Sequence, residues 1–142
     1  AIGCCLVGSE MCIRDSYLGG GFGHFYAYAP KKYEYPINRY AMEVKRQLDL
    51  LDKNLGEREY ICGKEYNIAD IAIHSWYGTL VLNNAYNSSE FLEVDSYKNV
   101  VRWAKQITER PAFKRGSLVN RKPNGPDDNA ILERHDASDI KI

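Results

Sequence analysis

The sequence predicts an all-α fold, a bundle of amphipathic helices around one apolar helix, and three observations predict it. Residues 65–84, EYNIADIAIHSWYGTLVLNN, begin with a helix start signal and then stay apolar on nearly every side. Residues 37–55 set Ile37, Tyr40, Ala41, Val44, Leu48, Leu51 and Leu55 at spacings of three and four, the stripe of an amphipathic helix. Strand-like runs do not alternate with helices as a βαβ unit requires.

In chain order, residues 1–16, AIGCCLVGSEMCIRDS, differ from the rest of the chain. Three of the four cysteines, Cys4, Cys5 and Cys12, fall here, and the run resembles translated adapter sequence. The segment is read as a non-native junction, with the native sequence resuming near Tyr17. It lacks the basic region and cleavage site of a signal peptide. Residues 17–29 mix glycines with aromatics, but no strand precedes them and they match neither GxGxxG nor the P-loop, so they are not a nucleotide loop.

Pro30 ends that segment, and Pro36 suits the first turn of the next helix. That helix runs to Gly56, a residue suited to a helix end. Arg39 lies opposite its apolar stripe and is expected at the surface. Residues 58–64 read as a loop anchored by Tyr60 and Ile61, with Cys62 a small, buried or half-buried residue.

In the central helix, Asn67 is a good N-cap and Asp70 can reach back to its N–H, forming a capping box. Tyr66 and Ile71 are placed for a hydrophobic staple. No Asp, Glu, Lys or Arg occurs from Ile71 to Ser89, so the helix is expected to be packed on several faces. It is too short to span a bilayer. His74 reads as a hydrogen-bonded core or interface residue rather than a catalyst. An Asn- and Ser-rich loop comes next, to Glu93. Tyr97, Val100, Val101, Ala104 and Ile107 then mark another amphipathic helix, stopped at Arg110-Pro111, with Trp103 packed against a neighbour. Residues 112–119 suit a short last helix. Residues 120–142 hold Pro123, Gly125, Pro126 and many charges without apolar period, and are expected to be mostly irregular.

The 142 residues are 44% hydrophobic and 27% charged, and 19 basic residues balance 19 acidic ones. This describes a one-domain globular chain with no phosphate-tracking surface, so neither nucleic acid nor a membrane is an expected partner. No Cys/His grouping has metal-ligand spacing, so no metal is expected, and thiols without a CxxC suit a reducing cytoplasm. No Ser/His/Asp or HExxH pattern supports hydrolysis.

The capped ADIAI run, RWAKQITERPAFKRG (102–116), LGGGFGHFYAYAP (18–30) and ERHDASD (133–139) together resemble the Nu-class glutathione transferases, a bacterial group of glutathione-dependent disulfide-bond oxidoreductases. The resemblance runs from about Tyr17 to the end. It implies a glutathione S-transferase C-terminal-like helical domain over residues 17–119, with the family's thioredoxin-like N-terminal domain missing. Residues 17–29 become the second half of a long helix. Arg39 matches a family arginine that contacts glutathione, and a guanidinium suits a tripeptide with two carboxylates. Phe22, Phe25, Tyr26 and Tyr28 become candidates for the wall of an electrophile pocket, beside the alternative of core packing.

The resemblance also implies glutathione as cosubstrate, a small electrophile or disulfide as second substrate, and a homodimer. In the family the glutathione thiolate is stabilised from the N-terminal domain, so no catalytic residue is assigned and the chain alone is expected to be a poor enzyme. The rival reading is a non-catalytic transferase-like helical module for protein–protein interaction.

Overall fold

The structure, a computed structural model, describes the backbone of residues 9–119 and the side chains of residues 17–119. Residues 1–8 of the expected junction, and the whole 120–142 tail with its ERHDASD motif, lie outside the described residues. The described backbone is mostly helical, and an isolated bridge pairs Tyr60 with Gly63 in a turn.

α1 (Ser9–Tyr28) is a wide helix of π type. An i→i+5 bond closes its end, from the Ala29 N–H to the His24 carbonyl at 2.7 Å. α2 (Glu34–Gly56) has Pro36 in its first turn and buries Ala41, Val44, Leu48 and Leu55. α3 (68–81) is α-helical over Ile68–Ile73, widens to π type over His74–Gly78, and returns to α over Thr79–Val81. The expected loop before Glu93 contains a short helix, α4 (Ser89–Leu92). Glu93 stops it in a left-handed conformation (φ 55°), and Leu92 and Val94 turn into the core on either side. α5 (Lys98–Thr108) and α6 (Pro111–Gly116) complete the described helices, and Pro111 stands in the first turn of α6.

The chain divides into two compact units between Lys105 and Gln106. In the first, Leu18, Phe22, Val44, Leu48, Leu55, Tyr77, Leu80, Leu92, Val100 and Trp103 are buried. α1 rests on α2 through Phe25, whose ring lies parallel to Tyr40 at 5.6 Å. α2 also organises the start of α5. Asp52 accepts from the backbone N–H groups of Asn99 (2.8 Å) and Val100 (3.1 Å), satisfying first-turn donors that have no partner within their own helix. Arg102 acts in the opposite direction, donating to the Leu55 carbonyl at 2.9 Å near the end of α2. In the second unit Ile107 is buried, and Lys114 pairs with Glu109 at 2.7 Å.

Candidate functional site

The start of α3 is held by Asn67 and Asp70. Asn67 Oδ1 accepts from the Ala69 N–H at 2.9 Å, and Asp70 Oδ2 accepts from the Asn67 N–H at 3.0 Å, so both halves of a capping box are present. The wholly buried Asp70 does more than cap. Its Oδ1 accepts from the Ile61 N–H at 3.0 Å and from the Trp103 indole at 2.8 Å. One carboxylate therefore ties the 58–64 loop, the start of α3 and α5 together.

Two local expectations are corrected around this cap. Ile71 is 52% and Ile68 61% exposed, so α3 keeps one open apolar face instead of being packed all round, and the Tyr66 ring meets Tyr60 edge-on at 5.7 Å. Cys62 is exposed, not half-buried, because the tight 60–63 turn sends Tyr60 and Ile61 inward and leaves Cys62 at its outer corner.

Further along α3, His74 is buried beside Trp103, and its Nε2 lies 3.2 Å from the Ala104 carbonyl. A carbonyl only accepts, so Nε2 carries the proton. Burial holds the imidazole below its ordinary range, and the Ala104 bond opposes this weakly. His74 is thus a neutral core residue. Gly78 makes its seat possible, since a Cβ there would stand 2.4 Å from the ring.

A cleft of about 330 Å³ opens between α1, α3 and the loop after α3. Leu18, Tyr28, Trp76, Asn84 and Tyr86 line it together with Ser75, Thr79 and Ala85. None of these side chains is charged. Of the four aromatic pocket candidates, only Tyr28 borders the cleft. Phe22 is wholly buried, stacked on Tyr26 at 4.9 Å, and Tyr26 in turn meets Phe91 at 5.0 Å. Phe25 is engaged with Tyr40. Helical spacing explains this: Phe22 and Tyr26, one turn apart on α1, face the core.

Sequence reasoning does not single out Trp76 or Tyr86. Ser75, Trp76 and Thr79 share one face of a helix, and the NNAYN run supplies asparagines suited to left-handed backbone, so a signal for both exists. Arg39 is exposed on α2, is not among the cleft residues, and has Glu43 one turn on. Glu43 is bound by Arg46 and Gln47, and these contacts, with the Arg46 and Arg39 charges, outweigh partial burial to hold its carboxyl below the usual range. Gln47 continues the chain inward by accepting from the buried Tyr77 hydroxyl.

Among the described residues, no group of three or more His, Cys, Asp or Glu side chains is placed to hold a metal, and no helix is long and apolar enough to cross a membrane. An all-helical domain with a buried capping box and an uncharged aromatic cleft defines a class, and the glutathione S-transferase C-terminal domain family matches residues 7–111. The chain belongs to that family. It is 58% identical over 125 residues to the disulfide-bond oxidoreductase YghU of Escherichia coli K12, covering 88% of this chain and 43% of that protein.

Among solved structures, the glutathione transferase YghU from Streptococcus pneumoniae, complexed with glutathione, is 64% identical with a TM-score of 0.70, over 70% of this chain and 39% of that one. A glutathione transferase from Pseudomonas putida with glutathione disulfide bound is 40% identical, TM-score 0.62, over 70% of this chain and 43% of that one. The chain thus spans less than half the length of these relatives.

Proposed function

We propose that this chain is the helical, substrate-site part of a glutathione transferase or glutathione-dependent disulfide-bond reductase. The observation that carries it is a 64%-identical neighbour solved with glutathione bound. Arg39 contacts a glutathione carboxylate, the cleft at Tyr28 takes the second substrate, a small electrophile or disulfide, and residues 17–119 form the domain. The exposure of Arg39 supports its part, since an arginine already engaged in the core would be unavailable. The open apolar residues Tyr35, Met42 and Leu50 on α2 support assembly into a homodimer. Residues 1–16 are a non-native junction, and the protein works in the cytoplasm. No metal and no catalytic residue of this chain enters this reading.

Calorimetric titration of glutathione into the full-length parent protein and its Arg39→Ala variant tests this. A charge-assisted bond contributes about 1.5–3 kcal/mol, so the variant is expected to bind about ten- to hundredfold more weakly with unchanged melting. Arg39→Lys recovers part of the loss, because an ammonium lacks the planar fork. Equal affinity with equal melting would return Arg39 to the solvated surface.

A further inference from the structure

We infer that Arg46 is a positioning residue for the glutathione contact: by occupying and neutralising Glu43 it keeps Arg39, on the same face of α2, open to a ligand carboxylate. This rests on Arg39 being the arginine that meets glutathione. Arg39, Glu43 and Arg46 stand at successive spacings of four and three, so one carboxylate lies within reach of two guanidinium groups. A glutamate beside a binding arginine interferes in two ways. It can close an ion pair with that arginine, and its charge repels the anion the arginine is to hold. Here the carboxylate turns to Arg46 instead. Arg46 donates to it twice, from Nη2 to Oε1 at 2.5 Å and from Nε to Oε2 at 3.0 Å, the two-pronged form that matches a guanidinium to a carboxylate. Among the described residues, Glu43 makes its ion pair with Arg46 and none with Arg39.

A tie to the core fixes this choice. The buried Tyr77 hydroxyl donates to Gln47 Oε1, so the Gln47 amide nitrogen faces the other way and donates to Glu43 Oε1 at 3.0 Å. Burial raises the Tyr77 phenol, so it keeps the proton it donates. The Glu43 side chain is 15% exposed and that of Arg46 57%, so the carboxylate is drawn against the helix while its counter-ion stays outside. The Arg46 bond does most to hold the Glu43 carboxyl below the usual range, against partial burial, and the Arg39 charge acts in the same direction. With Arg46 gone, the charge of Arg39 is what remains to answer Glu43. A pair that only covered the surface would need no tie through a buried amide to a buried hydroxyl.

Glutathione is titrated calorimetrically into the full-length parent protein and its variants, with thermal melting alongside. An exposed ion pair alters binding by about fivefold at most, so Arg46→Ala is expected to weaken glutathione by about three- to fivefold. Arg46→Lys keeps the charge without the fork and is expected to recover part of the loss. Adding Glu43→Gln to Arg46→Ala removes the released charge and is expected to return the affinity nearly to that of the parent, which a structural defect at Arg46 would not allow. Unchanged affinity in Arg46→Ala, or a loss that Glu43→Gln does not restore, overturns the inference. If Arg46→Ala does not fold, Arg46→Gln keeps the stem of the side chain and takes the same test with the same outcomes. Arg39→Ala separates the two readings. Full affinity in that variant refutes the glutathione contact and this inference with it, whereas a weakened Arg39→Ala beside an unaltered Arg46→Ala refutes this inference alone.

Discussion

Asp70 shows how much one buried side chain can carry. Its carboxylate accepts three N–H bonds, from Asn67, Ile61 and Trp103, and is wholly buried. Removing an acceptor leaves its donors buried and unpaired, at about 1–3 kcal/mol each. Asp70→Ala is therefore expected to destabilise by more than the ~1 kcal/mol of a lost cap, about 3–5 kcal/mol in urea denaturation. Asp70→Asn keeps one acceptor but turns an amide donor toward the Asn67 or Trp103 donor, so it recovers only part. An unchanged urea midpoint for Asp70→Ala would count against the account. The cap was legible because Asn67 and Asp70 are three residues apart. The bonds to Ile61 and Trp103 were not, because they join residues 9 and 33 positions away and no local spacing encodes them.

At the scale of elements, the helices α2 and α5 read directly from three-and-four spacing, since burial of one face is what that spacing records. The widened turn His74–Gly78 was invisible, because it arises from the fit of the His74 ring against Gly78 rather than from any apolar period. α4 was missed because four residues are too few to show periodicity. The cleft was half legible: Tyr28 stood out in the aromatic run, whereas Tyr86 reaches it only through a left-handed loop. Gly78→Ala tests the widened turn. Helix propensity alone favours alanine by about 1 kcal/mol. The new methyl, however, would meet a ring packed against Trp103, and overpacking costs about 1–3 kcal/mol. Net destabilisation is expected, read as a lower melting midpoint, and a stabilised variant would show that the His74 ring has room to move.

For the whole molecule, the buried histidine makes stability depend on pH. The folded His74 holds its proton less tightly than an ordinary imidazole, because burial disfavours the cation. Above the ordinary range near pH 6.5 both folded and unfolded chains are neutral at this site, and its contribution is fully present. As pH falls below about 6.5 the unfolded chain takes up a proton that the folded chain refuses, so stability is lost, by at most ~1.4 kcal/mol per pH unit. The carboxyls of Glu43, Glu93 and Glu109 act lower. Their hydrogen-bonded basic partners hold each below 4.5, so what they contribute is present above that value and is lost as pH falls further. Between about pH 7 and about pH 5 these three carboxyls stay ionised, so they do not contribute to the change there. Thermal melting of the chain is expected to report a midpoint that falls as pH is lowered across this range. His74→Gln, whose amide can still donate toward the Ala104 carbonyl, is expected to start from a lower midpoint and stay nearly flat over the same window. A variant that falls as steeply as the parent would move the proton uptake to another group, and a parent that does not fall would mean that the folded chain accommodates the imidazolium.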